Sequence, residues 1–176
     1  MQLVRSMIGV VMATASLCAI AKGDGSSLCK AAETTIFNCS VSGSTKFVSL
    51  CGSKDVTRDA GYIKYRFGRP GKIELEYPSG TKDTQQKFRY AHYWRSEVDR
   101  TEVTFDVNQH SYTLFDSSEG NETTAERVRG ISIALPTNEK RELLCGSDAT
   151  GTLGAVESIA ACDKASPLNM DGCPVK

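Results

Sequence analysis

The sequence predicts an all-β fold, mainly an antiparallel sandwich or barrel of about nine strands with one short C-terminal helix and disulfide staples. Three observations predict it. Apolar and polar residues alternate strictly over short segments, turn-forming clusters separate those segments at short, even spacing, and an even set of cysteines follows a leader-like N-terminus.

The leader comes first. Arg5 supplies a positive start, Met7 to Leu17 is uncharged and mostly apolar, and Ala19-Ile20-Ala21 is a small-x-small cleavage motif. Residues 1–21 therefore read as a secretory signal peptide cleaved after Ala21, and residues 22–176 as a single domain. Lipid anchoring at Cys18 is disfavoured, because Leu17 stands where a lipobox wants a small residue. No later segment approaches the roughly 20 apolar residues of a spanning helix, so the mature chain is expected not to span a membrane.

The strands follow in order. Phe37, Cys39 and Val41 share a face, Ser42 to Thr45 is turn chemistry, and Phe47 to Cys51 returns. In the next hairpin Ile63, Tyr65 and Phe67 alternate with Lys64 and Arg66; beyond Gly68-Arg69-Pro70-Gly71, residues Ile73, Leu75 and Tyr77 alternate with Glu74 and Glu76. Face matching predicts Phe67 opposite Ile73, Tyr65 opposite Leu75 and Ile63 opposite Tyr77, with Arg66–Glu74 and Lys64–Glu76 pairs on a solvated face. Further strands are predicted over residues 86–95, 101–107, 111–116, 128–135 and 140–145. Helical spacing of Leu153, Val156, Ile159 and Ala160 predicts the helix over residues 152–162.

Composition narrows the functional classes. Removing Arg5 with the leader leaves 20 basic and 21 acidic residues, a net charge of −1 that argues against a nucleic-acid partner. Cys29, Cys39, Cys51, Cys145, Cys162 and Cys173 remain, without a C-x-x-C, so disulfides are expected and neither a metal nor a cofactor is. The preferred pairing is Cys145 with Cys162, Cys39 with Cys51, and Cys29 with Cys173, one of the 15 connectivities that six cysteines allow. The sequons at Asn38 and Asn121 read as chance matches.

Catalytic motifs are absent: there is no nucleophile elbow, zinc-protease helix, phosphate loop or dinucleotide fingerprint, and His92 and His110 are the only histidines. The densest unusual cluster is Tyr90-Ala91-His92-Tyr93-Trp94-Arg95, with the only Trp. Strand geometry sends Phe88, Tyr90, His92 and Trp94 to one face, read as core with His92 near its edge, and Tyr93 and Arg95 to the other, read as an exposed contact patch. The loop from Tyr77 to Gln86, with Ser79 and Lys82, and the loop from Asp116 to Arg127 are the other candidate contact segments.

The segments Glu33 to Cys39, Val48 to Cys51, Gly61 to Leu75, Phe88 to Tyr90 and Asp99 to Val103 together resemble a group of small exported proteins of Gram-negative bacteria. The resemblance implies a periplasmic β-rich domain and carries over no catalytic residue. A looser analogy is to periplasmic lysozyme inhibitors and immunity proteins. Some of those use a Ser-Gly-x-x-Tyr loop, whose Tyr position is Asp83 after Ser79-Gly80 and Lys46 after Ser42-Gly43 in this chain. The expected function is that of an exported, non-enzymatic binding protein with a protein partner in the periplasm or envelope, possible roles being inhibition of, or immunity against, a cell-wall-degrading enzyme. The alternatives are a secreted hydrolase with a carboxylate- or His-based site and a structural envelope component.

Overall fold

Alternation becomes strand throughout the computed structural model, which describes residues 27–121, 123–137, 139–170 and 172–173. The expected signal peptide, with Cys18 and the expected cleavage point after Ala21, lies outside the described residues. Strands β1 (Glu33–Ser40), β2 (Phe47–Ser53), β3 (Ile63–Arg69) and β4 (Lys72–Tyr77) form one antiparallel sheet, and a 3-10 turn, Gln85–Lys87, leads to the second. That sheet holds β5 (Arg89–Arg95), β6 (Val98–Val107), β7 (His110–Glu119), β8 (Glu126–Ala134) and β9 (Lys140–Leu144). Two short strands complete the edges: β10 (Thr150–Gly151) pairs with β1, and β11 (Ala161–Cys162) runs parallel to β5. The sheet orders are β10-β1-β2-β3-β4 and β11-β5-β6-β7-β8-β9.

All nine expected strands form, but the expected helix does not. Only Leu153–Val156 makes a 3-10 turn, capped by the Thr152 side chain, and Ala161–Cys162 is extended. The four apolar positions do face the core, yet Gly154 weakens the helix and pairing with β5 draws the end of the segment into a strand.

The β3–β4 hairpin corrects the expected register by two residues. Tyr65 lies opposite Tyr77, Arg66 opposite Glu76 and Phe67 opposite Leu75, because Arg69 and Lys72 close a tight Pro70-Gly71 turn and a bulge at Gly68 takes up one residue. Faces are preserved while partners change. Glu74 binds Lys46 instead, at 2.7 Å.

The charged side of this sheet is not a solvated face either. Arg66 is 1% exposed and Lys64 4%, because the chain from Leu28 to Glu33 crosses over Ser49 and Cys51 and covers them. Arg66 donates to both Glu33 carboxylate oxygens at 2.5 and 2.9 Å, to Glu76 at 2.7 Å and to the Leu28 carbonyl at 3.3 Å. Lys64 donates to Glu76 and to the carbonyls of Pro78 and Ser79. Two cations and two carboxylates thus close a neutral, fully bonded layer on the back of the first sheet. Burial pushes the Glu33 carboxyl up, but Arg66, the Lys30 amide and the Tyr62 hydroxyl outweigh it and hold it below 4.5.

The apolar core lies between the sheets. Phe105 is its centre, with Tyr65, Tyr77, Phe88 and Tyr112 rings at 4.8 to 5.4 Å. Val103, Leu114 and Ile131 continue it across β6, β7 and β8, and Phe37, Val48 and Leu50 face them from the first sheet.

All six cysteines among the described residues are bridged, in a pairing that corrects the expected one throughout: Cys29–Cys51, Cys39–Cys145 and Cys162–Cys173. Cys39 pairs with Val48 on the core face, whereas Cys51 lies on the covered back of the same sheet, so the two point apart. Cys145 follows β9 and Cys162 sits in β11, at opposite edges of a six-stranded sheet. Five interstrand spacings amount to roughly 24 Å, against the 4.4 to 6.8 Å a disulfide spans between Cα atoms. Cys39–Cys145 instead joins the two sheets where Val41 and Cys145 form a bridge. Cys29 is thereby committed to the back of the first sheet and Cys173 to the edge of the second.

Three disulfides fit an oxidising compartment, extracellular or periplasmic. No helix among the described residues is long and apolar enough to cross a membrane.

Candidate functional site

The register of the second sheet shows where its core-side face runs out of core. Tyr90, Val103, Leu114 and Ile131 form one buried row across β5 to β8. Two residues further along each strand the same face carries His92, Thr101, Asp116 and Arg129, and two further still Trp94, Asp99, Ser118 and Arg127. An apolar face has turned polar in register. The last row is open: Trp94 is 72% exposed and the Asp99 side chain 56%.

This overhang corrects the placement of Trp94 in the core. Its strand outlasts the sheet that would have covered it. Tyr93 and Arg95 do lie on the outer face as expected, Tyr93 half-buried and Arg95 exposed, with the guanidinium 5.8 Å from the Tyr93 ring centre. The tip of β5 therefore presents an aromatic residue on each face with a cation beside one of them.

Polar groups on the shelf are ordered by one another. His92 Nε2 lies 2.9 Å from Asp99 Oδ1. Asp116, 7% exposed, accepts two bonds from Arg127 at 2.7 and 2.6 Å, and Arg129 stands 3.5 Å away while donating to the Ala149 carbonyl. Those fork-to-fork contacts fix Arg127 against the sheet. Between β5 and the chain after β10, a cleft of about 560 Å³ is lined by Tyr90, His92, Glu157, Ser158 and Asn169, among others. Its size suits a small ligand or an inserted side chain. Burial pushes the Tyr90 phenol up to about 12, with the Glu157 and Asp99 charges adding to the rise and Thr101 opposing it, so the hydroxyl stays protonated in the cleft.

The other candidate residues lie elsewhere. Ser79 is exposed, but its carbonyl binds Lys64 and makes it part of the buried ionic layer. Lys82 borders a separate polar hollow with Arg58, Asp59 and Asp83. Their loop feeds the start of β5, whereas Tyr93 and Arg95 stand at its far end, six residues or roughly 20 Å along the strand. The loop expected from Asp116 to Arg127 is shorter, since β7 runs to Glu119 and β8 begins at Glu126.

Cys29, Cys51 and Glu33 bring ligand-type atoms within 4.8 Å of one another. The two sulfurs are bonded to each other and Glu33 is bonded to Arg66, so the chemistry of this donor set is that of a staple. The sequence places Asp116, Ser118 and Arg127 in a candidate contact loop and not on one strand face, and it assigns no site role to Asp99, Thr101 or Arg129. A signal for them was present: on three neighbouring strands the core parity changes from Val103, Leu114 and Ile131 to these residues. Compared with models of protein families, with curated proteins and with solved structures, the chain matches none.

Proposed function

We propose that this chain is an extracytoplasmic, non-enzymatic binding protein that holds a protein partner at the overhanging end of the second sheet. The observation that carries the reading is Trp94, a large ring 72% exposed on a β-strand, with Tyr93 and Arg95 as its chain neighbours. Trp, Tyr and Arg dominate binding hot spots: the two aromatic rings add a large contact area for few rotatable bonds, and Arg adds a planar fork of hydrogen-bond donors. The exposed members of the ordered polar shelf, Asp99 and Arg127, supply the hydrogen-bonding rim such an anchor needs, with Asp116 holding Arg127 in place. For a disulfide-stapled domain of this size, the partner class we favour is a cell-wall-degrading enzyme that the chain inhibits or confers immunity against.

The test is inhibition of a panel of muramidases and amidases by the purified, oxidised protein, together with retention of envelope proteins on the immobilised protein. Inhibition or retention that falls at least about tenfold with Trp94→Ala supports the reading. Neither effect at micromolar protein, or effects indifferent to Trp94→Ala and Arg95→Ala, overturns it. One contact favours a second reading, a His-based hydrolase: the His92–Asp99 pair opens on the cleft beside Glu157. Turnover of an envelope substrate that disappears with His92→Ala would select it.

A further inference from the structure

One edge of β5 pairs with β6 along its whole length, and the other is covered only in part. Strand β11 pairs with Arg89 and Tyr90, and the carbonyls of Phe88 and Tyr90 accept from Ala161 and Asp163. Even-numbered residues of β5 therefore point their backbone groups away from β6, and by the strand period His92 and Trp94 do so too. Beyond β11 a single side chain imitates the missing strand. Asn169 Nδ2 lies 3.5 Å from the Tyr90 carbonyl and its Oδ1 3.5 Å from the His92 amide, both at the long limit of a hydrogen bond. Its short bond, 2.7 Å, is to the Asp163 carbonyl. Among the described residues no strand lies beside the His92 carbonyl or the backbone groups of Trp94.

The cleft lies against this edge. Tyr90 and His92 line it from β5, and Glu157 lines it from the facing segment. Its described lining carries one formal charge, the exposed Glu157; outside the lining Asp99 stands against His92, and Arg127 and Arg129 on the same sheet face are engaged by Asp116. An added strand would place alternate side chains over this cleft, and electrostatic complementarity calls for a cation among them.

We infer that the β5 edge from His92 to Trp94 receives an extended segment of the partner protein, which adds one strand to the second sheet and lowers a Lys or Arg side chain into the cleft toward Glu157. The inference rests on the binding reading above and specifies its mode. The Trp94 ring, at the end of the strand, covers the aliphatic part of the incoming segment, while Asn169 yields its two long contacts and keeps its short one.

The experiment uses the isotope-labelled, disulfide-intact protein and three capped heptapeptides as probes: Thr-Val-Thr-Lys-Thr-Val-Thr, the same peptide with Glu for Lys, and the Lys peptide N-methylated at alternate amides. The Lys peptide is expected to slow hydrogen exchange at the Trp94 amide and to bind at least about tenfold more tightly than the Glu peptide. N-methylation should abolish the protection, and Glu157→Gln should shrink the Lys preference to about threefold or less. The inference is overturned if Trp94 gains no protection at about millimolar peptide, if the methylated peptide protects equally, or if the Lys preference survives Glu157→Gln. Protection that appears without peptide and grows with protein concentration would assign the edge to a second copy of this chain and also overturn it. Partner capture that depends on Trp94, in the absence of peptide protection, would sink strand addition alone and leave the binding reading standing.

Discussion

Glu33→Gln is the sharpest test of how the N-terminal segment is held. The Glu33 side chain is 1% exposed and accepts two bonds from Arg66, one from the Lys30 amide at 2.7 Å and one from the Tyr62 hydroxyl at 3.1 Å. Gln preserves the shape but removes the charge and turns an amide donor toward a guanidinium that cannot accept. Removing one partner of a buried pair costs about 3 to 5 kcal/mol, and the lower end applies because Arg66 keeps its bond to the partly exposed Glu76. Urea unfolding with the disulfides intact should then show a loss of about 3 kcal/mol, or a midpoint lower by roughly 1.5 M for a slope near 2 kcal/mol/M. Combining Glu33→Gln with Arg66→Met should cost less than the sum of the single changes, with a coupling of at least about 2 kcal/mol. A midpoint change worth under about 0.5 kcal/mol, or strict additivity, would refute the claim that this pair holds the N-terminal segment to the sheet.

The same network sets a pH dependence whose sign is fixed by its carboxylates. Glu33 and Glu76 are both held below 4.5 in the folded chain, because Arg66, with Lys64 at Glu76, outweighs the upward push of burial. A group depressed on folding stabilises fully above its unfolded value and loses that contribution as pH falls through the folded one. The urea midpoint of the wild-type protein should therefore fall as pH drops below about 4.5, and more steeply than that of Glu33→Gln. Equal slopes would refute the assignment to Glu33.

Three further outcomes are expected. Trp94→Ala should leave the urea midpoint within about 0.5 kcal/mol of wild type, since the ring is mostly exposed, while partner affinity falls at least about tenfold; loss of stability instead would make Trp94 a packing residue. Removing Cys39–Cys145, whose ends are 106 positions apart in sequence, should cost about 2 kcal/mol more than removing Cys162–Cys173, whose ends are 11 apart, by loop-closure entropy; equal urea midpoints for the two double-Ala variants would count against that account. Gly151→Ala should destabilise by about 2 kcal/mol or more, because φ is +77° and a Cβ would lie 2.1 Å from the Ile36 carbonyl oxygen; hydrogen exchange at Thr152, which donates to that carbonyl, should rise with it, and an unchanged midpoint would refute the clash.

Strand content was legible because it is a local property: each segment's alternation is written in five to ten consecutive residues. Some longer-range facts were legible too. With Val41 and Lys46 closing the first turn, Cys39 shares a face with residues 48 and 50, so Cys51 falls on the opposite side and the two cannot bond. The change from Val103 to Thr101, from Leu114 to Asp116 and from Ile131 to Arg129 likewise marks the end of the core. The position of Cys162 was not legible. It depends on a two-residue parallel strand joining the far edge of the sheet, and no periodicity records such a pairing. Nor does alternation distinguish a face open to water from one covered by a second polar layer, since Lys64 and Arg66 read the same in both. What separates them is Leu28 to Glu33, a segment without strand period until it reaches the sheet.

The staples and the candidate site divide the molecule between them. Cys29–Cys51 fastens the N-terminal segment over the ionic layer, Cys39–Cys145 joins the sheets, and Cys162–Cys173 fastens the C-terminal segment beside β5. Each bridge restrains chain that a short ladder alone would hold weakly. No cysteine stands among the shelf residues of β5 to β8. The order of the shelf comes from the β5–β6 and β6–β7 ladders, paired through Arg95 with Val98 and Val98 with Glu119, and from Asp116 gripping Arg127 across to β8. Ladder hydrogen bonds hold the backbone while leaving side chains on both faces free to be presented, which is what a contact surface requires. In this chain disulfides hold the segments that short ladders would secure weakly, and the strands carry Trp94 past the core into solvent.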